Sequence, residues 1–136
     1  MFKRVLTSLV ILAGCAELGD GGFVTSGGTR VNPVNGDVFE VIARPGNEKN
    51  QFWCGAGEYA HRALGAPPNA KVYVVGGAGR AMTMDAPSAA QFALKPAAQV
   101  EGATGRDSRW GPRLGQSRFV GDARSRCNRT QFDVSF

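Results

Sequence analysis

Between Asn50 and Gly65 the apolar residues recur at helical spacing. At 100° per residue, Phe52, Ala56, Tyr59, Ala60 and Ala63 share one face, with Trp53 and Leu64 at its margins. Asn50 is placed to cap the first turn, because its side-chain oxygen can accept from an otherwise unpaired backbone N–H. Gly65, followed by Pro67 and Pro68, ends the helix. Small alanines between large aromatics let such a helix lie close on a sheet, and the aromatics supply most of the buried area. Glu58 and Arg62 stand i,i+4 in the favourable order, which predicts a flanking ion pair worth about 0.2–0.5 kcal/mol.

The rest of the pattern is short and extended. Arg30–Val34 and Asp37–Arg44 flank Asn35-Gly36, a strong hairpin signal; Pro33 marks the first arm as an edge strand, and Val38–Ala43 reads as an inner one. Lys71–Val75, rich in β-branched and aromatic residues, predicts a further strand. Gly76–Gly79 then reads as a hairpin connection. It is not a dinucleotide fingerprint, because Met82 stands where the third glycine would fall and Pro87 leaves little room for a helix. Ala81–Met84 and Ala90–Leu94 extend the pattern to an antiparallel meander. Ser117–Arg126 reads as a short helix or turn, and Phe132, Val134 and Phe136 alternate as in a closing strand. The expected class is α+β, one main helix packed on a small, mainly antiparallel sheet. From Lys95 to Gln116 there is no period, and long loops of this kind often carry function.

The start of the chain changes the picture. Met1-Phe2-Lys3-Arg4 is a positive segment and Val5–Ala13 an apolar run of export-signal length, shorter than the roughly 20 residues of a membrane anchor. With Leu12-Ala13-Gly14-Cys15 it resembles the lipobox of bacterial lipoprotein precursors. That resemblance covers residues 1–15 only. It implies cleavage before Cys15 and acylation of its thiol, and multiple acyl chains satisfy the requirement for stable membrane attachment. Ala16 after the cysteine implies sorting to an outer membrane, facing the periplasm; the alternative is an ordinary secretory signal and a soluble periplasmic product. Ala16–Thr29 is glycine-rich without a period and reads as a flexible tether. The expected organisation is a signal peptide over 1–14, the lipidated cysteine and tether over 15–36, and one small domain over 37–136.

There are three cysteines. With Cys15 set aside, Cys54 and Cys127 remain in an oxidising compartment, which predicts one disulfide stapling the end of the chain to the helix. The competing reading is a small envelope enzyme with a reactive Cys54, its thiolate favoured near a helix N-terminus. His61, the one histidine, lies seven residues away and so roughly 10 Å along the helix, too far for a dyad bond to Cys54. The same stretching of Cys54, Glu58 and His61 argues against a metal site. No cofactor is expected and no catalytic set is assembled by the sequence.

Charge adds a candidate surface. The chain has 12 arginines, four lysines and a net charge of +5; removing Lys3 and Arg4 leaves +3 for a product beginning at Cys15. Residues 106–136 hold seven arginines against three acids. Trp110 sits between Arg109 and Arg113, and it reads either as an exposed platform for stacking or as a lid folded onto the core. The basic bias suits an anionic envelope component or an acidic protein face; the aromatic interleaving of a nucleic-acid binder is absent. Phe52-Trp53-Cys54-Gly55-Ala56, Tyr59 and the Tyr-Val-Val strand are similar to small uncharacterised envelope proteins of proteobacteria, over roughly residues 37–95; that resemblance implies no activity. The function expected is non-catalytic binding or structural work at the membrane, with accessory or inhibitor protein as a further alternative.

Overall fold

The computed structural model describes residues 22–132, with side chains described as far as Asn128. Cys15 and the segment read as a signal peptide lie outside the described residues, as do residues 133–136. Six antiparallel strands form one sheet: β1 (Phe23–Val24), β2 (Arg30–Pro33), β3 (Val38–Ile42), β4 (Lys71–Gly79), β5 (Ala89–Ala93) and β6 (Ser117–Phe119), in spatial order β1-β2-β3-β5-β4-β6. Two helices, α1 (Glu48–Glu58) and α2 (Val120–Phe132), complete an α+β domain. A Cys54–Cys127 disulfide joins them, with the two Cα atoms 4.7 Å apart. It closes 73 residues of sequence separation, and constraining the unfolded chain to that extent stabilises by about 4 kcal/mol.

Alternation along the strands sorts the core. Val31, Phe39, Val41, Val72, Val74, Ala90 and Phe92 point to the helices and meet Phe52, Trp53, Ala56 and Ala60 of the first helical segment with Val120 and Ala123 of α2. The opposite face is covered too. Val38, Val75 and Ala93 lie under Ala97, Val100 and Ala103, and Ile42 and Ala89 under Ala81 and Ala86. That double cover explains why every residue of β3 and β5 is buried.

Several sequence expectations shift. Arg30–Pro33 is the expected first arm of the hairpin, but Phe23–Val24, read as tether, pairs with it: Phe23 stacks edge-on against Tyr59 at 5.2 Å, so the sheet begins ahead of residue 37 and β2 is not the edge. Helix α1 starts at Glu48, with Asn47 (φ 55°) and not Asn50 at its N-terminal boundary. Buried Gln51 sets that start: its Nε2 donates to the Arg44 and Gly46 carbonyls at 2.9 and 2.6 Å, and its Oε1 accepts from Arg44 N–H at 2.8 Å. Tyr59–Ala63 winds as a π-helix, whose wider turn carries Ala63 and Leu64 out to solvent. Gly76–Gly79 is not a connection but the second half of β4, with irregular register against β5. Strand β5 inserts between β3 and β4, so the sheet is not a simple meander, and Ala81–Met84 is a loop. The largest change is at the end. The expected closing strand at 130–136 is helix as far as Phe132, because α2 packs along α1 with Val120, Ala123 and Cys127 turned inward at helical spacing.

Two buried polar residues hold the sheet's second cover. Glu40, fully buried on β3, accepts from Met82 N–H at 2.9 Å, Thr83 N–H at 2.8 Å, the Thr83 hydroxyl at 2.6 Å and Gln91 Nε2 at 3.1 Å. Gln91 Oε1 in turn accepts from Thr104 N–H at 2.7 Å. One carboxylate thus fixes the 80–88 loop and, through Gln91, the chain at Thr104. On the helix side, Gly57 permits the α1–α2 contact: a Cβ there would lie 2.6 Å from the Arg124 backbone nitrogen.

Urea unfolding of the oxidised protein should therefore show Glu40→Ala destabilised by about 3 kcal/mol, since two backbone N–H groups lose a charged acceptor. Gly57→Ala should lose about 1–3 kcal/mol by overpacking. Gly36→Ala, where nothing lies within 4 Å of the added Cβ, should stay within about 0.5 kcal/mol of the parent.

Candidate functional site

The edge of β4 that β6 leaves uncovered is taken by the long loop. Gly105 N–H donates to the Val75 carbonyl at 3.1 Å and Gly77 N–H to that of Arg106 at 2.6 Å; at the far end Val74 N–H donates to the Gln116 carbonyl at 2.9 Å. Residues 105–116 therefore form a compact loop with its ends side by side on one strand. Arg106 locks its entry, with Nε donating to the Gly77 carbonyl at 2.8 Å and Nη2 to that of Arg80 at 3.0 Å.

Asp107 closes the loop internally. Its carboxylate accepts from Arg113 Nε and Nη2 at 3.0 and 2.9 Å, from Ser108 N–H at 2.9 Å and from Leu114 N–H at 3.1 Å. The Arg113 hydrogen bonds first, then the Leu114 and Ser108 N–H groups, hold its carboxyl well below the usual carboxylate range; the same pairing raises Arg113. Gly111 and Pro112 press inward, and Gly111 is required there, since a Cβ would come within 2.5 Å of Ala78 Cβ. Trp110 meets both expectations in part: its ring centroid is 6.2 Å from that of Phe52, yet 47% of the residue is exposed.

Between this loop, α1 and β6 lies a cavity of about 290 Å³. Trp53, Gly111 and Pro112 give it apolar walls, and Lys49, Arg109, Arg113 and Arg118 surround it with Gln116. Lys49 comes from the first turn of α1 and Arg118 from β6, where its guanidinium lies over the Trp53 ring at 5.0 Å and pairs with Asp122 at 2.9 Å. Among the described residues no carboxylate lines the cavity. Arg113 and Arg118 are held by acids outside it, whereas Lys49 and Arg109 have no ion pair among the described residues. The described lining offers four cations and an aromatic face. Chemically, it can hold an anion.

Of the residues singled out from the sequence, Arg109 and Arg113 line this cavity and Trp110 stands beside them on the same loop. Lys49, Trp53 and Arg118 were not recognised as their companions. Lys49 precedes the helical aromatics by one turn, a weak signal, and Arg118 carried none because β6 is only three residues long. The polar flank of α1 divides among separate tasks. Cys54 is bonded to Cys127, Glu58 pairs with Arg62 at 2.9 Å and Arg124 at 3.4 Å, and His61 Nδ1 lies 2.9 Å from the Ala66 carbonyl. Among the described residues no group of three potential ligands could hold a metal ion, and no helix is long and apolar enough to cross a membrane. No protein-family model, curated protein or solved structure matches the chain.

The depressed Asp107 pKa has a definite sign. Its pairing supports the loop fully above the ordinary carboxylate value of 3.8, and that support is lost as pH falls through the lower folded value. Trp110 fluorescence should stay level from about pH 7 to about pH 4 and change with a midpoint below 3.8. A midpoint at or above 3.8 would show that the Asp107–Arg113 pair does not hold the loop.

Proposed function

We propose that this protein is a lipid-anchored component of a bacterial envelope, attached through Cys15 and facing the periplasm from the outer membrane, with a non-catalytic binding role. Its ligand is an anionic group held in the cavity between α1, β6 and the 105–116 loop. The observation that carries this reading is the set Lys49, Arg109, Arg113 and Arg118 around a cavity lined, among the described residues, by no carboxylate. The lipoprotein-like order of positive segment, apolar run and Leu-Ala-Gly-Cys supports the location.

The anion would find two kinds of donor. Arginine guanidinium groups give paired, planar N–H donors suited to phosphate or carboxylate oxygens, and the ammonium of Lys49 adds a compact charge. Lys49 and Arg109 can engage a ligand without first breaking an ion pair. The cavity is near the lower end of ligand-pocket volumes, which fits a headgroup-sized anion better than an extended molecule.

Calorimetric titration of the oxidised protein with inorganic pyrophosphate should give saturable one-site binding that weakens as salt is added. Lys49→Ala and Arg109→Ala should each lower the affinity about tenfold, or about 1.4 kcal/mol. Arg80→Ala, outside the cavity lining, should leave it unchanged. Equal affinities in all four proteins would overturn this reading.

A further inference from the structure

The 105–116 loop does more than wall the cavity. Over Arg109-Trp110-Gly111-Pro112-Arg113-Leu114 the buried pair Gly111-Pro112 anchors the segment, while Trp110 and Leu114 stand 47% and 36% exposed, each next to an arginine. These apolar side chains are held outward. Asp107 fixes the Arg113 side chain and the Leu114 N–H from one side, and Gly111 sits against Ala78 and Phe52 from the other. A rigid segment that presents tryptophan and leucine beside arginines has the chemistry of a headgroup layer: the indole favours the interfacial depth, and arginine stems lie along apolar surface while their heads reach phosphates.

We infer that this loop docks on an anionic lipid surface, Trp110 and Leu114 entering the headgroup region while a lipid phosphate occupies the cavity lined by Lys49, Arg109, Arg113 and Arg118. The inference rests on the cavity being an anion site. Charge complementarity selects the occupant: among the described residues no carboxylate lines the cavity, and although Arg113 and Arg118 are paired with Asp107 and Asp122, Lys49 and Arg109 have no ion pair and leave the face net positive toward a negatively charged surface. An acidic protein face is the lesser fit. Stable protein interfaces bury about 800 Å² per partner over a largely apolar core, whereas here two apolar side chains are separated by charged ones. Each can enter a headgroup layer singly. Because Asp107 and Gly111 already order the loop, little conformational freedom remains to be lost on docking.

Vesicles of phosphatidylcholine, alone or with about 30% phosphatidylglycerol, and both carrying brominated acyl chains, provide the test. Trp53 is nearly buried, so subtracting the signal of a Trp110→Phe variant isolates Trp110. In the full chain, Trp110 quenching should be at least about twofold stronger on the anionic vesicles, and Lys49→Ala with Arg109→Ala should reduce it to the neutral-vesicle level. Equal quenching on both vesicles, with pyrophosphate binding intact, would overturn membrane docking and leave the anion site standing. Loss of both signals would overturn the two together. A Trp110 response to poly-glutamate but not to anionic vesicles would also overturn the inference, in favour of an acidic protein partner.

Discussion

Helix α2 lies against α1 at a distance that only a glycine at position 57 allows. Gly57 lets the Arg124 backbone approach where any side chain would collide, and the Cys54–Cys127 bond holds the helices at that distance. With α2 in place, its first N–H groups find acceptors in the segment that leads into β4: Val120 N–H donates to the Ala70 carbonyl at 2.8 Å and Gly121 N–H to that of Pro68 at 3.0 Å. Strand β6, immediately before α2, is thereby aligned on β4 and sets Arg118 over Trp53. The residue that floors the cavity is the sequence neighbour of the disulfide cysteine. Helix packing and cavity geometry are consequently one arrangement, held by the disulfide.

The sheet's other face works by a different physics. A small domain that must cover both faces of its central strands has only loops left for the second face, and loops bring unpaired backbone groups with them. Glu40 and Gln91 supply the partners. A carboxylate at the middle of β3 collects two N–H groups and a hydroxyl from the 80–88 loop, and Gln91 passes the order on to Thr104. From Thr104 the chain reaches Arg106 and Asp107, so the exposed Trp110 segment is positioned by buried polar contacts on one side and by Phe52 on the other.

How much of this was legible in the sequence varies with the range of the interaction concerned. The Asn35-Gly36 hairpin, the Lys71–Val75 strand, the Glu58–Arg62 pair and the disulfide were readable because each depends on local chemistry or on a count of two. Helix α2 was legible only in part, as a short helix or turn over Ser117–Arg126; its extent to Phe132 was not, because most of its residues are polar and its stability comes from α1. The glycines of β4 looked like a turn because the loop that covers them comes from residues 104–108, far along the chain. The same holds for the cavity. Arg109 and Arg113 stood out beside a tryptophan, whereas Lys49 and Arg118 join them only through the fold.

In the proposed function, four cations from three separate elements act on one anion. Nitrogen-detected NMR of the arginine side chains in the oxidised protein, followed through an inorganic phosphate titration, separates this from diffuse screening. Arg109, Arg113, Arg118 and the Trp53 indole should shift together along one saturation curve while Arg30 and Arg80 stay fixed. Shifts of similar size at all the exposed arginines, without saturation, would mean that phosphate only screens the surface, and would contradict the proposal.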